Sequence, residues 1–340
     1  MAEHAASRRL RALGAVGAIG GAALFVWAIR SAGATAVADS VRRIGPGILV
    51  VWLLGGLRGL ARAAAWRLCL APEHRVGLAP LFSAHVAGDA IGNITPFGLL
   101  LSEPSKVFLL RRRIDIAASS AALAVENLFY GGAVIVMLAA GSVAMAAFAV
   151  PQPIRIASLT ILATALAVAG GVWIAAARPR LIGGSLETLF AMPIVDRYFR
   201  RWLPRLRETG VQIMEFRSRS RTAVLPLVIV EASYQALAVM EIWFAVGLIT
   251  GTPPDLLTAF VLEYVNRTIT VAFQFVPMWL GVDEAGTSVA TSILGLGPAA
   301  GVALALVRKT RVAVWTLIGM GLIATTRLRE RAKQSNSVQR

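Results

Sequence analysis

Two stretches decide the fold: Asn93-x-x-Pro96-x6-Glu103 and Gln274-x-x-Pro277-x6-Glu284. Each places an amide, a proline and a glutamate at the same spacing, and the second copy starts 181 residues after the first. Each lies between long apolar segments. Proline removes a backbone donor and breaks a helix. Freed backbone groups in a bilayer must line a wet or protein-filled cavity. A duplicated, broken, charged element of this kind is how many secondary transporters build a site near mid-bilayer.

The surroundings support a membrane setting. Of 340 residues, 57% are hydrophobic and 15% charged, and mean hydropathy is +0.69. A soluble domain keeps roughly a quarter of its residues charged. Lipid is therefore the expected solvent. The net charge of +16 would suggest nucleic acid in a soluble chain. Here the arginines crowd into a few loops, which fits orientation and anionic lipid headgroups better. One cysteine, Cys69, and three scattered histidines exclude a disulfide framework and a metal cluster. No phosphate-binding glycine loop, zinc motif or Ser-His-Asp arrangement can be drawn, so neither a cofactor nor catalysis is expected. The Ala, Gly and Arg richness points to a GC-rich bacterial genome, hence a bacterial inner-membrane protein.

Apolar runs of spanning length predict about six transmembrane helices, near 12–30, 47–71, 116–148, 154–177, 222–249 and 299–326. The first follows Arg8, Arg9 and Arg11 and is read as a retained span followed by a polar loop, not a cleaved signal peptide. Segments 78–102 and 255–297 are apolar but broken. Arginine concentrates at the N-terminus, 103–113, 178–221 and the tail 327–340. The positive-inside rule puts all four in the cytoplasm, giving N-in/C-in. That requires both broken segments to be re-entrant hairpins, one entered from each side. Arg42 and Arg43 then fall outside, against the rule.

The predicted architecture is an all-α polytopic membrane protein with a single transmembrane domain, 1–326. Repeat one spans about 47–148 and repeat two about 222–326, inverted with respect to each other. They are linked by 178–221, whose ten arginines and interspersed aromatics suggest an interfacial segment on anionic lipid. The basic tail is expected to be disordered.

Near these motifs the chain resembles a known family. Gly88-Asp89-Ala90-Ile91-Gly92-Asn93-Ile94-Thr95-Pro96, with Glu103 and Lys106, is similar to the first signature of the lysylphosphatidylglycerol-synthase transmembrane, or flippase-like, family. Pro277 to Ala285, with Gly281, Glu284, Arg308 and Trp315, resembles the second. Arg58-x3-Arg62-x3-Trp66-Arg67 is similar to its arginine-rich second span. The first signature departs from the family at Ser102, Pro104 and Lys106. The resemblance covers roughly 10–328 and does not include the synthetase domain of some members, which this chain is expected to lack. It implies a lipid-translocating protein, with hopanoid-associated and glycan-lipid members among its relatives.

A charge at a helix centre costs about 2.5–3.5 kcal/mol on insertion, so each intramembrane charge needs a partner or a task. Arg58, Arg62 and Trp66 recur every four residues and share one helix face. Guanidinium suits lipid phosphate, although snorkelling is the plainer account of Arg67. Glu126-Asn127 correspond, at the 181-residue offset, to Val307-Arg308, so Glu126 and Arg308 would meet if the repeats face one another. Glu263 and Arg267 stand i,i+4 in the favourable order and could simply neutralise each other. Glu231 and Glu241 have no evident local cation, so either is a candidate proton carrier once buried, as are Glu126 and Glu263, and Arg311 lies inside the last span. Glu103 and Glu284 either cap the helices after the breaks or act on the cargo. The expected substrate set is Arg58, Arg62, Asn93, Pro96, Glu103, Glu126, Asn127, Glu263, Arg267, Gln274, Pro277, Glu284, Arg308 and Arg311.

The resulting expectation is an ATP-independent flippase for an anionic or glycosylated lipid, with membrane lipids as partners. Three alternatives remain open: a secondary transporter of a small solute, a non-transporting partner of a lipid-synthesis enzyme and, ranked lowest, an integral-membrane lipid transferase.

Overall fold

A computed structural model describes residues 23–74, 76–95, 98–146, 148, 150–177, 221–274 and 276–338. Among them all regular structure is helical. The helices are α1 (Ala23–Ala32), then α2 (Ala34–Ile44), α3 (Ile48–Cys69), α4 (Leu78–Asn93), α5 (Gly98–Leu110), α6 (Ile116–Met145) and α7 (Gln152–Ala177). After the undescribed 178–220 come α8 (Arg221–Thr250), α9 (Leu256–Ala272), α10 (Val282–Ile293) and α11 (Pro298–Val338). The interfacial reading of 178–221 falls almost wholly outside the described residues, as does Pro96.

Local chemistry sets the helix ends. Asp115 caps α6 by accepting from the Ala117 and Ala118 amides at 2.9 and 3.3 Å. Asp255 follows Pro253-Pro254 and accepts from the Thr258 amide at 3.1 Å, starting α9. The second break carries two non-glycine residues at positive φ, Met278 and Trp279, before Gly281 at φ 82°. The Trp279 indole donates to the Thr270 carbonyl at 3.2 Å, which ties this strained turn back to α9.

The spans predicted near 47–71, 116–148, 154–177, 222–249 and 299–326 are helical; of the first, near 12–30, only residues from 23 on are described, and three differences stand out. The loop after the first span contains α2, an amphipathic helix burying Val37 and Ile44 while Arg42 and Arg43 stay exposed; its charged face had been read as loop polarity. The first broken segment continues to Leu110 instead of ending near 102, because α5 runs on through Pro104. Residues 327–338 continue α11 as helix, where disorder was expected.

The helices form two units with matching internal packing. In the first, α3 packs on α4, α4 on α5, α5 on α6 and α3 on α6; in the second, α8, α9, α10 and α11 repeat the same four contacts. The contacts between units are reciprocal: α4 with α11 and α9 with α6, α3 with α11 and α8 with α6. The two first helices, α3 and α8, pack directly together. They run antiparallel, since Arg58 faces Glu241 and Arg62 faces Glu231.

Two apolar clusters carry most of the packing. One gathers Trp66, Leu81, Leu123 and Leu227; the other gathers Val51, Ile242, Leu262 and Leu304. Meanwhile Leu53, Val136, Val143, Leu225 and Leu317 point outward with more than half of their surface exposed. Large apolar side chains outside and charges inside is the distribution expected when lipid is the solvent. Among the described residues, four stretches are long and apolar enough to cross a membrane: Ala34–Cys69, Ile116–Met145, Gln152–Gly171 and Ala223–Thr250. The protein is a multi-pass membrane protein.

Candidate functional site: a buried seam of ion pairs

Along α3, Arg58 and Arg62 fall between Val51 of one apolar cluster and Trp66 of the other. Along α8, Glu231 falls between Leu227 and Ile242, and Glu241 immediately precedes Ile242. The charges therefore form a seam at the join of the two cores. Arg58, Arg62, Arg267, Glu126, Glu231, Glu241 and Glu263 are all buried, none more than 8% exposed.

At one end of the seam, Arg58 and Arg311 converge on one oxygen of Glu241, at 3.0 and 2.8 Å. Arg58 also donates to the Tyr234 hydroxyl at 3.1 Å and lies over its ring. Arg311 reaches this point because α11 comes close to α3 at Gly55 and Gly56. A Cβ on Gly56 would run into the Trp315 ring, and one on Gly55 into the Arg311 side chain. The Trp315 indole seals the approach by donating to the Trp52 carbonyl at 2.9 Å.

One turn further along α3, Arg62 meets Glu126 at 2.6 Å and Glu231 at 3.7 Å. It lies 3.9 Å from the Tyr130 ring centroid and donates to the Asn127 amide oxygen at 3.0 Å. Asn127 in turn donates to Glu103 at 2.8 Å. On α9, Arg267 pairs with Glu263 at 2.8 Å and donates to the Tyr130 hydroxyl at 2.8 Å.

Each hairpin extends the seam. In the first, Lys106 bridges Asp89 at 2.9 Å and Glu103 at 2.8 Å; Asp89 also accepts from Ser102 at 3.0 Å and meets His85 at 3.3 Å. In the second, Arg308 holds Asp283 at 2.6 Å and Lys309 holds Glu284 at 3.1 Å. The hairpins share one feature. Asn127 and Arg308, related by the 181-residue offset, each reach back from the last helix of a unit to the acidic residues after its break.

Several expectations change. Glu126 and Arg308 do not pair with each other; Glu126 takes Arg62 and Arg308 takes Asp283. Glu231 and Glu241 do have cations, contributed by α3 and α11, which no local spacing on α8 could reveal. Glu284 caps α10, accepting from the Gly281 amide at 2.8 Å. Glu103 is not a cap, since it sits within α5 and serves Lys106 and Asn127. Asn93 reaches α11 instead, donating to the Thr316 hydroxyl at 3.0 Å. Gln274 is exposed in the turn after α9, and Pro277 opens the short helical turn there.

Residues missed at first are Asp89, His85, Tyr130, Tyr234, Asp283 and Lys309. Faint signals were present: Asp89 follows His85 by four residues, Tyr130 follows Glu126 by four, and Asp283 adjoins Glu284.

Buried polar atoms without a hydrogen-bond partner gather here too, among them Arg58 Nε, Arg311 Nε, Glu241 Oε1, Gln235 Nε2 and both carboxylate oxygens of Glu231. Such atoms are costly in an apolar interior.

No curated protein and no solved structure matches this chain. The family model described as the lysylphosphatidylglycerol synthase TM region matches residues 12–320. With the match running through both hairpins and every residue of the seam, this chain belongs to that family.

Proposed function

We propose that the protein carries the polar headgroup of an anionic or glycosylated lipid between leaflets of a bacterial inner membrane, without ATP, while the acyl tails stay in lipid. The observation that carries this reading is the pair of guanidiniums, Arg58 and Arg311, held on a single oxygen of Glu241. Two converging guanidiniums match a phosphate, which accepts in bidentate fashion. Glu241 then acts as an internal stand-in that the headgroup displaces and that closes the site again when the headgroup leaves.

We read the two units as inverted repeats with re-entrant hairpins, N-in/C-in. The antiparallel packing of α3 on α8 and the reciprocal contacts between units support this. Rocking of one unit against the other would open the seam to either side in turn.

Proteoliposomes carrying fluorescent lipids with phosphate or sugar headgroups test the reading. Wild type should move at least one class between leaflets. Arg58→Met combined with Arg311→Met should slow it about tenfold or more, the loss expected for charged hydrogen bonds. Failure of folded wild type to move any class would end the proposal.

A second reading has one observation in its favour. Each of Arg58, Arg62, Arg267 and Arg311 already has a carboxylate partner, as in a structural clamp. The protein would then be a membrane partner of a lipid-synthesis enzyme. In that case neutral substitutions in the seam lower stability but leave lipid output intact.

A further inference from the structure

Charge is unevenly divided along the seam. The Glu241 end holds two guanidiniums and one carboxylate; the Arg62 end holds one guanidinium and two carboxylates. At that second end, Arg62 is committed to Glu126 at 2.6 Å, while Glu231 stands off at 3.7 Å. Glu231 is 3% exposed, and neither of its oxygens has a hydrogen-bond partner among the described residues.

Among the described residues, neighbouring elements bring no spare cation. From α3 Glu231 faces Arg62 and Cys69, and from α6 Glu126, with Tyr130 beyond it around the same guanidinium. Its own helix adds Tyr234 and Gln235. Lys106 of α5 acts on Glu126 but is held by Asp89 and Glu103, and Arg267 of α9 is held by Glu263. A second bare carboxylate buried here would be an uncompensated charge in an apolar medium, which proteins avoid by neutralising the group.

We propose that Glu231 carries a proton, and that loading and unloading this proton couples headgroup movement to the transmembrane proton gradient. Loading forms an O–H bond on one Glu231 oxygen with a proton from water on one side of the membrane. Unloading returns that proton to water on the other side and leaves the carboxylate to compete with Glu126 for Arg62. A carboxylate freed in this way loosens Arg62 from Glu126 and Asn127. Through Asn127 the change reaches Glu103 in the first hairpin, so the proton and the hairpin share one chain of contacts. The coupling rests on the function proposed above; the proton site does not.

Two measurements separate these parts. Infrared difference spectra of the purified protein, recorded as pH is varied, should show the carbonyl stretch of a buried protonated carboxylic acid. Glu231→Gln should abolish the band, and Glu284→Gln, another buried carboxylate, should leave it. Because glutamine is close in shape to the protonated acid, Glu231→Gln should also fold and melt like wild type. A band absent from wild type, or unchanged by Glu231→Gln, overturns the proton site. In proteoliposomes, an imposed pH gradient should change wild-type lipid movement several-fold and leave Glu231→Gln indifferent, while Glu231→Asp keeps a response. Equal gradient responses in wild type and Glu231→Gln, or none in an active wild type, overturn the coupling. A wild type that moves no lipid overturns both the coupling and the proposed function, while the infrared band still decides the proton site.

Discussion

At Glu241, one carboxylate oxygen serves two guanidiniums from different helices. Removing one partner of a buried pair leaves the other charged and unpaired, which typically costs about 3–5 kcal/mol. Glu241→Gln strands both Arg58 and Arg311, and a cost in that range is expected from denaturant or thermal unfolding in mild detergent. Arg58→Met should cost clearly less, since Glu241 keeps Arg311 at 2.8 Å. Equal losses for the two variants would mean the pairs contribute independently of this shared oxygen. The guanidiniums at Arg58, Arg62 and Arg267 were legible in the sequence because charge inside an apolar run is conspicuous. Their partners were not, because Glu241 lies 183 positions from Arg58 and only the packing of α3 on α8 joins them.

At the level of elements, the two breaks share a spacing but differ in what their glutamates do. Glu284 is buried at the start of α10, where it caps the Gly281 amide and meets Lys309. Glu284→Gln retains a capping acceptor and should cost little beyond the ion pair, whereas Glu284→Ala loses the cap as well, about 1 kcal/mol more. Unfolding of the two variants side by side checks the order; equal losses would assign the residue to the ion pair alone. Gly281 sits at φ 82°, where an added Cβ meets the following carbonyl oxygen. Gly281→Ala should therefore destabilise by about 1–2 kcal/mol. Asn93 and Gln274 occupy matching places in the motif, yet the first bonds to α11 and the second is exposed. Spacing identified the repeated element; surroundings assigned each residue its task.

For the whole molecule, the proposed topology is open to direct mapping. Cys69 is the sole cysteine, so Cys69→Ala provides a clean background for single introduced cysteines. With re-entrant hairpins, cysteines at Glu73 and Arg113 should both react from the cytoplasmic side. Cysteines at Thr252 and Leu296 should both react from the outer side with an impermeant reagent. Labelling on opposite faces within either pair would mean that the hairpin crosses the bilayer and that the units are not arranged as proposed.

Sequence alone settled that this is a helical membrane chain with two like-spaced, broken and charged segments, because lipid demands long apolar runs and makes every exception to them visible. It also marked α3, α6 and α8 to within a few residues, since hydropathy, proline and capping residues act locally. Tertiary structure decided which opposite charges meet, that Glu126 belongs to Arg62 and Arg308 to Asp283, and that an excess of carboxylate remains at Glu231. Those pairings arise where antiparallel helices bring distant turns to one depth, and periodicity within a single helix holds no record of its neighbour's register.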